Sequence, residues 1–323
     1  MSKLTAWLTP ENDRKRKIRA IAFTVLIAVL LTVVCIYCAG EYGFALFVIT
    51  PLFIGICPVI IYGKKKPITR SDAFYIGSLT LLFYCFAMML FALEGLICII
   101  MALPFAFFLV WIGSVIGYEV ISKKPKGGAP TIIALLFIIP VFSFIEKDSA
   151  PSITSVTTGI DIDASPEVVW KNVVEFPQLN EPTEFLFKTG VAYPINARIK
   201  GNGAGAIRYC NFTTGSFVEP ITVWNEPKLL AFDVLEQPAP MKEINFWDVD
   251  APHLHDYFVS KKGQFKLIAL PNGNTRLEGT TWYYHRIKPE FYWRMWSNYI
   301  VHSIHNRVLK HIKANSERTN LQD

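Results

Sequence analysis

The sequence predicts an α-helical transmembrane bundle followed by an α+β domain, in which a curved antiparallel sheet packs around a long C-terminal helix. Long uncharged apolar runs fill the first 145 residues, and basic residues lie only on alternate sides of them. The second half shows strand patterns of period two and ends in a helical apolar stripe. We predict two regions, residues 1–147 and 150–323.

The N-terminal region contains five candidate transmembrane helices. Their uncharged runs cover about residues 20–40, 42–63, 73–93, 95–118 and 127–145. A bilayer core needs about 20 apolar residues in a helix, and only a helix satisfies its own backbone hydrogen bonds inside lipid. The fifth run is short and contains Pro140, so the sequence leaves open whether it spans the membrane or lies at the interface.

Basic residues predict the orientation. Thirteen Lys and Arg precede the first run or lie after the second and fourth, whereas the loops at Glu41 and Glu94 have none. This asymmetry predicts a cytoplasmic N-terminus in the plasma (inner) membrane. Five spans place the C-terminal domain on the extracytoplasmic face, and an interfacial fifth run would leave it inside.

The net charge of +6 does not indicate a nucleic-acid partner. Residues 1–149 contain 14 basic and 8 acidic residues, and residues 150–323 contain 18 of each. The excess therefore lies in the loops between spans, and the C-terminal half has no basic stripe. It also has a single cysteine, Cys210, which excludes a disulfide framework there.

The sequence of the C-terminal half predicts, in order, one strand, two helices, six strands and a long helix. A strand at 153–162 precedes a helix at 167–176, which Ser165, Pro166 and Glu167 begin as N-cap, first-turn proline and first-turn acid. A short helix follows at 181–187. The further strands are predicted at 197–200, 206–213, 217–224, 229–236, 257–270 and 275–286. The last helix, 289–316, has an apolar stripe formed by Trp293, Trp296, Ile300, Ile304 and Val308.

This order, with the stretch IDIDASPEVVW at 160–170, resembles the START-like (SRPBCC, polyketide cyclase/dehydrase and lipid-transport) superfamily over residues 152–316. The stretch EGTTWYYH at 278–285, followed by Pro289, Tyr292 and Trp293, looks like a membrane-tethered bacterial subgroup. The resemblance implies a helix-grip fold with a deep cavity for an apolar ligand. It implies no single reaction, since its members include lipid binders and enzymes.

Strand alternation predicts the cavity residues. In the last strand the face with Arg276 and Glu278 should be wet, so Tyr283 and His285 should point inward. By the same test Val234, Val259, Phe265 and Leu267 face inward. The predicted ligand-binding residues are Phe232, Glu236, Tyr257, Tyr283, His285, Trp293, Trp296, Ile300 and Arg307, with His253 and His255 at the cavity mouth. We interpret His302 and His305 as solvated.

The predicted function is membrane-tethered binding or transfer of a lipid or other apolar small molecule. One alternative is a cyclase, dehydratase or hydrolase that uses Glu236, His285 or His255 as acid or base. Another is a sensor that signals through the spans. We predict no cofactor and no metal, since the spacing of His253 and His255 matches no strong metal signature. The ligand, any protein partner and the oligomeric state stay open.

Overall fold

The computed structural model describes residues 3–123, 128–146 and 151–320. The basic residues Lys124 and Lys126 and the predicted boundary at 147–150 lie outside the described residues. The chain divides into two compact units. The first, the helical unit, is Met1–Ala150 with Glu243–Pro252 and Ile287–Glu290, and the second, the grip domain, is the remainder.

The helical unit contains six α-helices in its described part. They are α1 (Lys3–Leu8), α2 (Asp13–Val33), α3 (Thr50–Gly63), α4 (Arg70–Leu90), α5 (Leu96–Lys123) and α6 (Gly128–Glu146). One π-helical segment, Val34–Ala39, continues α2, and another, Ala45–Ile49, leads into α3. Four helical stretches are long and apolar enough to cross a membrane, namely Asp13–Ala39, Ala45–Gly63, Arg70–Leu90 and Leu96–Lys123. The fifth predicted span is helical, but its apolar stretch, Pro130–Ile145, is shorter.

Small residues set the packing of α3 against α5. A Cβ added at Gly113 would lie 2.5 Å from the Leu52 carbonyl oxygen and 3.1 Å from the Gly55 Cα. The two backbones therefore approach each other directly. Such small-residue contacts are typical of helix packing in membranes.

The grip domain is a seven-stranded antiparallel sheet with one long helix. Its strands are β1 (Thr154–Ile162), β2 (Pro194–Lys200), β3 (Ile207–Phe212), β4 (Gly215–Asn225), β5 (Leu229–Asp233), β6 (Phe258–Ala269) and β7 (Thr275–His285). They lie in the order β1-β7-β6-β5-β4-β3-β2. Helices α7 (Pro166–Val174) and α8 (Phe185–Lys188) follow β1, and α9 (Glu290–Asn320) ends the chain. This is the helix-grip architecture, as predicted.

The core of the grip domain lies between the inner face of the sheet and α9. Leu230 and Leu277 from the sheet and Leu309 and Ile312 from α9 are all 1% exposed or less. Trp170 of α7 joins the same cluster and meets Trp224 edge to face. Burying Leu and Ile stabilises by about 1.5–3 kcal/mol each, so this cluster fixes α9 against the sheet.

Candidate functional site

A cavity of about 120 Å³ lies between the sheet and α9 in the grip domain. Its walls are mostly apolar, and α9 contributes one of them. The aromatic lining residues are Phe212, Phe217, Phe232, Phe258 and Phe265. The lining residues of α9 are Val301, Ile304, His305, Val308 and Leu309. A broader depression of about 760 Å³ lies where Pro166 and Glu167 meet β5 and β6. We place the candidate site in the smaller cavity because sheet and helix together form its walls.

A buried ion pair forms part of the cavity wall. Arg208 of β3 pairs with Glu219 of β4, because the register of the two strands sets these residues opposite each other. Arg208 is 2% exposed and Glu219 is 6% exposed. The Arg208 Nε also donates to the Val174 carbonyl at 3.3 Å. The guanidinium carbon lies 5.5–5.6 Å from the ring centroids of Phe176, Phe232 and Phe265.

Burial and the opposite charge of the partner both shift the pKa values of Arg208 and Glu219. Burial alone would lower the pKa of Arg208, but the Glu219 carboxylate raises it above the ordinary value. Burial raises the pKa of Glu219, and Arg208 opposes that shift. Burial likewise raises the pKa of the neighbouring Cys210 thiol to about 12, so the thiol stays protonated and is a poor nucleophile. The ion pair therefore offers the cavity a strong dipole with little net charge.

A hydrogen-bonded chain enters the cavity from the other side. Thr281 of β7 and His305 of α9 both line it, and the Thr281 Oγ1 lies 2.8 Å from the His305 Nε2. The His305 Nδ1 lies 3.0 Å from the Thr158 Oγ1, which lies 2.7 Å from the His302 Nδ1. Burial, and then the charge of His302, lower the pKa of His305 to about 4. The interpretation as solvated therefore fits His302, which is exposed, and does not fit His305, which is half-buried and favours the neutral form.

The predicted site residues divide between the cavity wall and other places. Phe232 lines the cavity, as do Ile304 and Val308 of the predicted stripe. Tyr283 is fully buried and stacks on Phe258, a lining residue, at 4.9 Å between centroids. The predicted residues that the cavity lining does not include are Glu236, Tyr257, Tyr283, His285, Trp293, Trp296, Ile300 and Arg307.

On α9 the cavity begins about two turns later than the sequence suggests, at Val301 and not at Trp293. Trp293 is buried, whereas Trp296 and Ile300 are half-buried, and the cavity wall starts at Val301. Arg307 turns to the edge of the domain. Its Nη2 donates to the Asn180 carbonyl at 2.5 Å, and its guanidinium carbon lies 5.0 Å from the centre of the Tyr193 ring. Arg307 therefore contacts the segment between α7 and β2, and does not line the cavity where it was predicted to bind the head group of a ligand.

The proposed acid and base residues have different surroundings. His285 is buried at the end of β7, directly opposite Phe258 in the sheet. Glu236 and His255 are exposed, whereas His253 is buried in a short 3₁₀ turn. Neither Glu236 nor His255 lines the cavity between the sheet and α9. The placement of Glu236 and His255 therefore gives no support to acid–base chemistry at these two residues.

A bulge in β6 explains why alternation misplaces Tyr257 and Val259. The pairing with β7 shifts between Ser260 and Lys262. Before the shift, Phe258 and Ser260 face inward and line the cavity, and after it Phe265 does so. A bulge inserts one extra residue and reverses the face of everything beyond it. Phe265 and Leu267 face inward as predicted, and Tyr257 and Val259 alternate to the other side.

One cluster of possible metal ligands lies in the helical unit. Ligand atoms of Glu94, Cys98 and Glu243 lie within 4.8 Å of one another. The Cys98 thiol donates to the Glu243 Oε1 at 2.7 Å. Carboxylate and thiolate groups are ligands for divalent cations. The prediction of no metal rests on the spacing of His253 and His255. It does not address this cluster, whose member Glu243 lies about 150 residues after Glu94 and Cys98 along the chain.

Among the comparisons with known proteins, the comparison with solved structures finds similar chains. No protein-family model matches the chain, and no curated protein matches it. A norcoclaurine synthase point mutant from Thalictrum flavum is 12% identical, covering 54% of this chain and 99% of its own, with a TM-score of 0.36. A protein from Nitrosospira multiformis is 16% identical over 50% of this chain and 94% of its own, with a TM-score of 0.32.

The protein XoxI from Bacillus cereus gives a similar result. It is 15% identical, covers 50% of this chain and 94% of its own, and has a TM-score of 0.33. Identities and scores this low carry no conclusion about ligands or reactions. We therefore take the fold from the strand order and from α9, and the function from the cavity itself.

Proposed function

We propose that the grip domain binds an apolar small molecule, or the apolar end of a lipid, in the cavity between sheet and α9. The observation that supports this is the cavity itself, because protein interiors are otherwise close-packed. Five Phe side chains, together with Val, Ile and Leu, form much of its lining, so it offers an apolar occupant a surface on which burial would be favourable.

The cavity volume limits the ligand. Sites for drug-sized ligands have volumes of about 300–1,000 Å³, and an apolar cavity of about 150 Å³ binds benzene. At about 120 Å³, the cavity accepts one ring or a short branched chain. A longer lipid would place only one end inside. The proposal therefore favours binding of a small group over enclosure of a whole lipid.

Binding of para-fluorotoluene to the full chain in lipid nanodiscs tests this proposal. Gly279 lines the cavity, and a Cβ added there would make only ordinary contacts, 3.6 Å to Phe265 and 3.7 Å to Leu309. Gly279→Leu should fill the cavity and abolish the protein-dependent fluorine NMR shift of the probe, whereas Gly279→Ala should retain it. Partition into lipid is the same for all variants and cancels.

Two further results decide the outcome. Ile304→Trp should abolish binding from the α9 side, which covers the case that Gly279→Leu fails to fold. If wild type binds the probe no better than both filled variants do, the cavity is not a ligand site.

We also propose that the helical unit spans the membrane. Its helices expose large apolar side chains, which water would solvate poorly and lipid would cover. Examples more than 45% exposed are Leu26, Leu30, Leu82, Phe83, Phe86 and Phe108. Together with the four long apolar helices, this surface supports an integral membrane location.

Contacts within the helical unit support the predicted orientation. Residues 243–252, here called the strap, belong to this unit. Leu96 N donates to the Ile244 carbonyl at 2.9 Å, and the Trp247 Nε1 donates to the Leu90 carbonyl at 3.0 Å. Lys288 N donates to the Tyr42 carbonyl at 2.8 Å. These contacts lie at the loops of Glu41 and Glu94, which have no Lys or Arg.

The contacts of the strap therefore support the proposal of five membrane spans, which would place the C-terminal half outside the cytoplasm. Fusing alkaline phosphatase, which is active only outside the cytoplasm, after Asp323 should give activity, and fusing it after Lys66 should give none. Inactivity after Asp323 with normal expression would place the C-terminal half in the cytoplasm.

A further inference from the structure

We propose that Thr281 and His305 form a polar anchor in the cavity, so that its ligand carries a neutral hydroxyl or carbonyl oxygen next to its apolar body. The proposal rests on the cavity being a ligand site and names the ligand class. Its basis is the geometry of four side chains, Thr281, His305, Thr158 and His302, which link the cavity to the surface through three contacts of 2.7–3.0 Å.

Among the described side chains, His305 is the hydrogen-bond partner of the Thr281 hydroxyl, which leaves part of the capacity of this hydroxyl for a ligand. A threonine hydroxyl has one donor and two acceptor positions, and a neutral imidazole has one donor and one acceptor nitrogen. Both ring nitrogens of His305 face a threonine hydroxyl, Thr281 on one side and Thr158 on the other. The Thr281 hydroxyl uses one position on His305, so other positions of the same hydroxyl remain for a ligand in the cavity.

The tautomer of His305 sets which ligand group fits. If the Nε2 is unprotonated, Thr281 donates to it and accepts a hydrogen bond from a ligand hydroxyl. If the Nε2 carries the proton, Thr281 accepts it and can donate to a ligand carbonyl. Thr158 lies between the Nδ1 atoms of His305 and His302, and its hydroxyl can rotate to match either state.

Charge in the cavity argues for a neutral ligand group. Among the described residues that line it, the buried charges are Arg208 and Glu219, which neutralise each other. Lys262 is exposed, and its Nζ lies 4.8 Å from the centre of the Trp282 ring. A ligand anion or cation would thus enter an apolar space with no free counter-charge, which is unfavourable.

Paired probes of equal shape test the anchor in the full chain in nanodiscs. Para-fluorophenol and para-fluorotoluene differ in a hydroxyl against a methyl group. Wild type should prefer the phenol by about fivefold beyond the difference in partition measured with Gly279→Leu, the effect of one net hydrogen bond. Thr281→Val keeps the side-chain shape and should lose this preference while it still binds the toluene.

Two controls make the result specific. Thr281→Ser retains the hydroxyl and should retain the preference. Thr222→Val removes an exposed threonine hydroxyl of β4 that is not part of the cavity lining, and it should also retain the preference. If wild type binds both probes equally, or if Thr281→Val still prefers the phenol, the anchor is wrong. If wild type binds neither probe better than the filled variant does, the cavity proposal itself fails.

Discussion

Arg16 in the helical unit and Arg208 in the grip domain are both only 2% exposed, but their partners differ. Arg16 donates to three backbone carbonyls, of Tyr62, Pro10 and Glu11, and to the Asp13 carboxylate, which is 47% exposed. Arg208 has one buried carboxylate partner, Glu219, a single backbone carbonyl, that of Val174, and aromatic faces around it. We therefore expect the loss of a buried arginine to cost less stability where water can reach its charged partner than where it cannot.

The largest predicted effect comes from separating Arg208 and Glu219. Either Arg208→Met or Glu219→Gln should destabilise the grip domain by about 3–5 kcal/mol, because one buried charged or polar partner is left uncompensated. The double change to Met and Leu should recover most of this loss. Hydrogen exchange of the β3 and β4 amides in the full chain measures the loss of stability in each single variant and its recovery in the double variant. Additive losses in the double variant would contradict the ion-pair interpretation.

This pair also shows what the sequence could and could not predict. The predicted strands around β3 and β4 match the observed ones within about two residues, as expected when period-two patterns are bounded by turn residues such as Gly215. The opposition of Arg208 and Glu219 depends on register, which the short turn at Thr213 and Thr214 sets. Arg208 and Glu219 have opposite charges and lie at equal distances from this tight turn, so the sequence does contain a signal that predicts their pairing.

Other parts of the site depend on features that leave no clear sequence signal. The bulge between Ser260 and Lys262 reverses the inward row of β6, and strand alternation alone does not predict it. His305 lies at the border of the apolar stripe of α9, where periodicity alone does not separate wet from buried positions. The strap lies in a long connection between β5 and β6, and only the fold shows which unit it contacts.

The next largest effect is a pH dependence from His305. Its pKa is lowered to about 4 from an ordinary 6.5, so below pH 6.5 the unfolded chain binds a proton that the folded domain does not. Stability should fall as the pH decreases from 6.5 to about 4, with a loss of about 3 kcal/mol at the lower end. His302 faces the same Thr158 hydroxyl, and its charge is the second cause of the lowered pKa of His305, after burial.

Chemical unfolding of wild type and His305→Gln at pH 7 and pH 4.5 measures this contribution. Carboxylates titrate equally in both proteins, so the difference between the two reports His305. Equal losses in both proteins would show that His305 is hydrated and titrates normally.

A third difference between the helical unit and the grip domain lies in the space beside two glycines, Gly113 and Gly279. Gly113→Ala places a methyl group 2.5 Å from the Leu52 carbonyl oxygen and should cost about 1–3 kcal/mol through overpacking of α3 against α5. A Cβ at Gly279 makes only ordinary van der Waals contacts, at 3.6 Å and beyond, so Gly279→Ala should be neutral or stabilise by up to about 1 kcal/mol. Thermal unfolding in the same detergent compares them. A harmful Gly279→Ala would mean that the cavity is filled or closed in solution.

The smallest effect is expected at Arg16, which completes the comparison of the two arginines. Arg16→Met leaves Asp13 with the Tyr62 hydroxyl at 2.7 Å and Lys66 at 3.3 Å, so no buried charge is left without a partner. The lost hydrogen bonds should cost about 1–2 kcal/mol, well below the loss at Arg208. The exposed neighbour Arg14→Met is the matched control and should change stability by less than about 0.5 kcal/mol. Hydrogen exchange at the start of α2 measures the difference, and a loss at Arg16 as large as that at Arg208 would show that water does not reach Asp13.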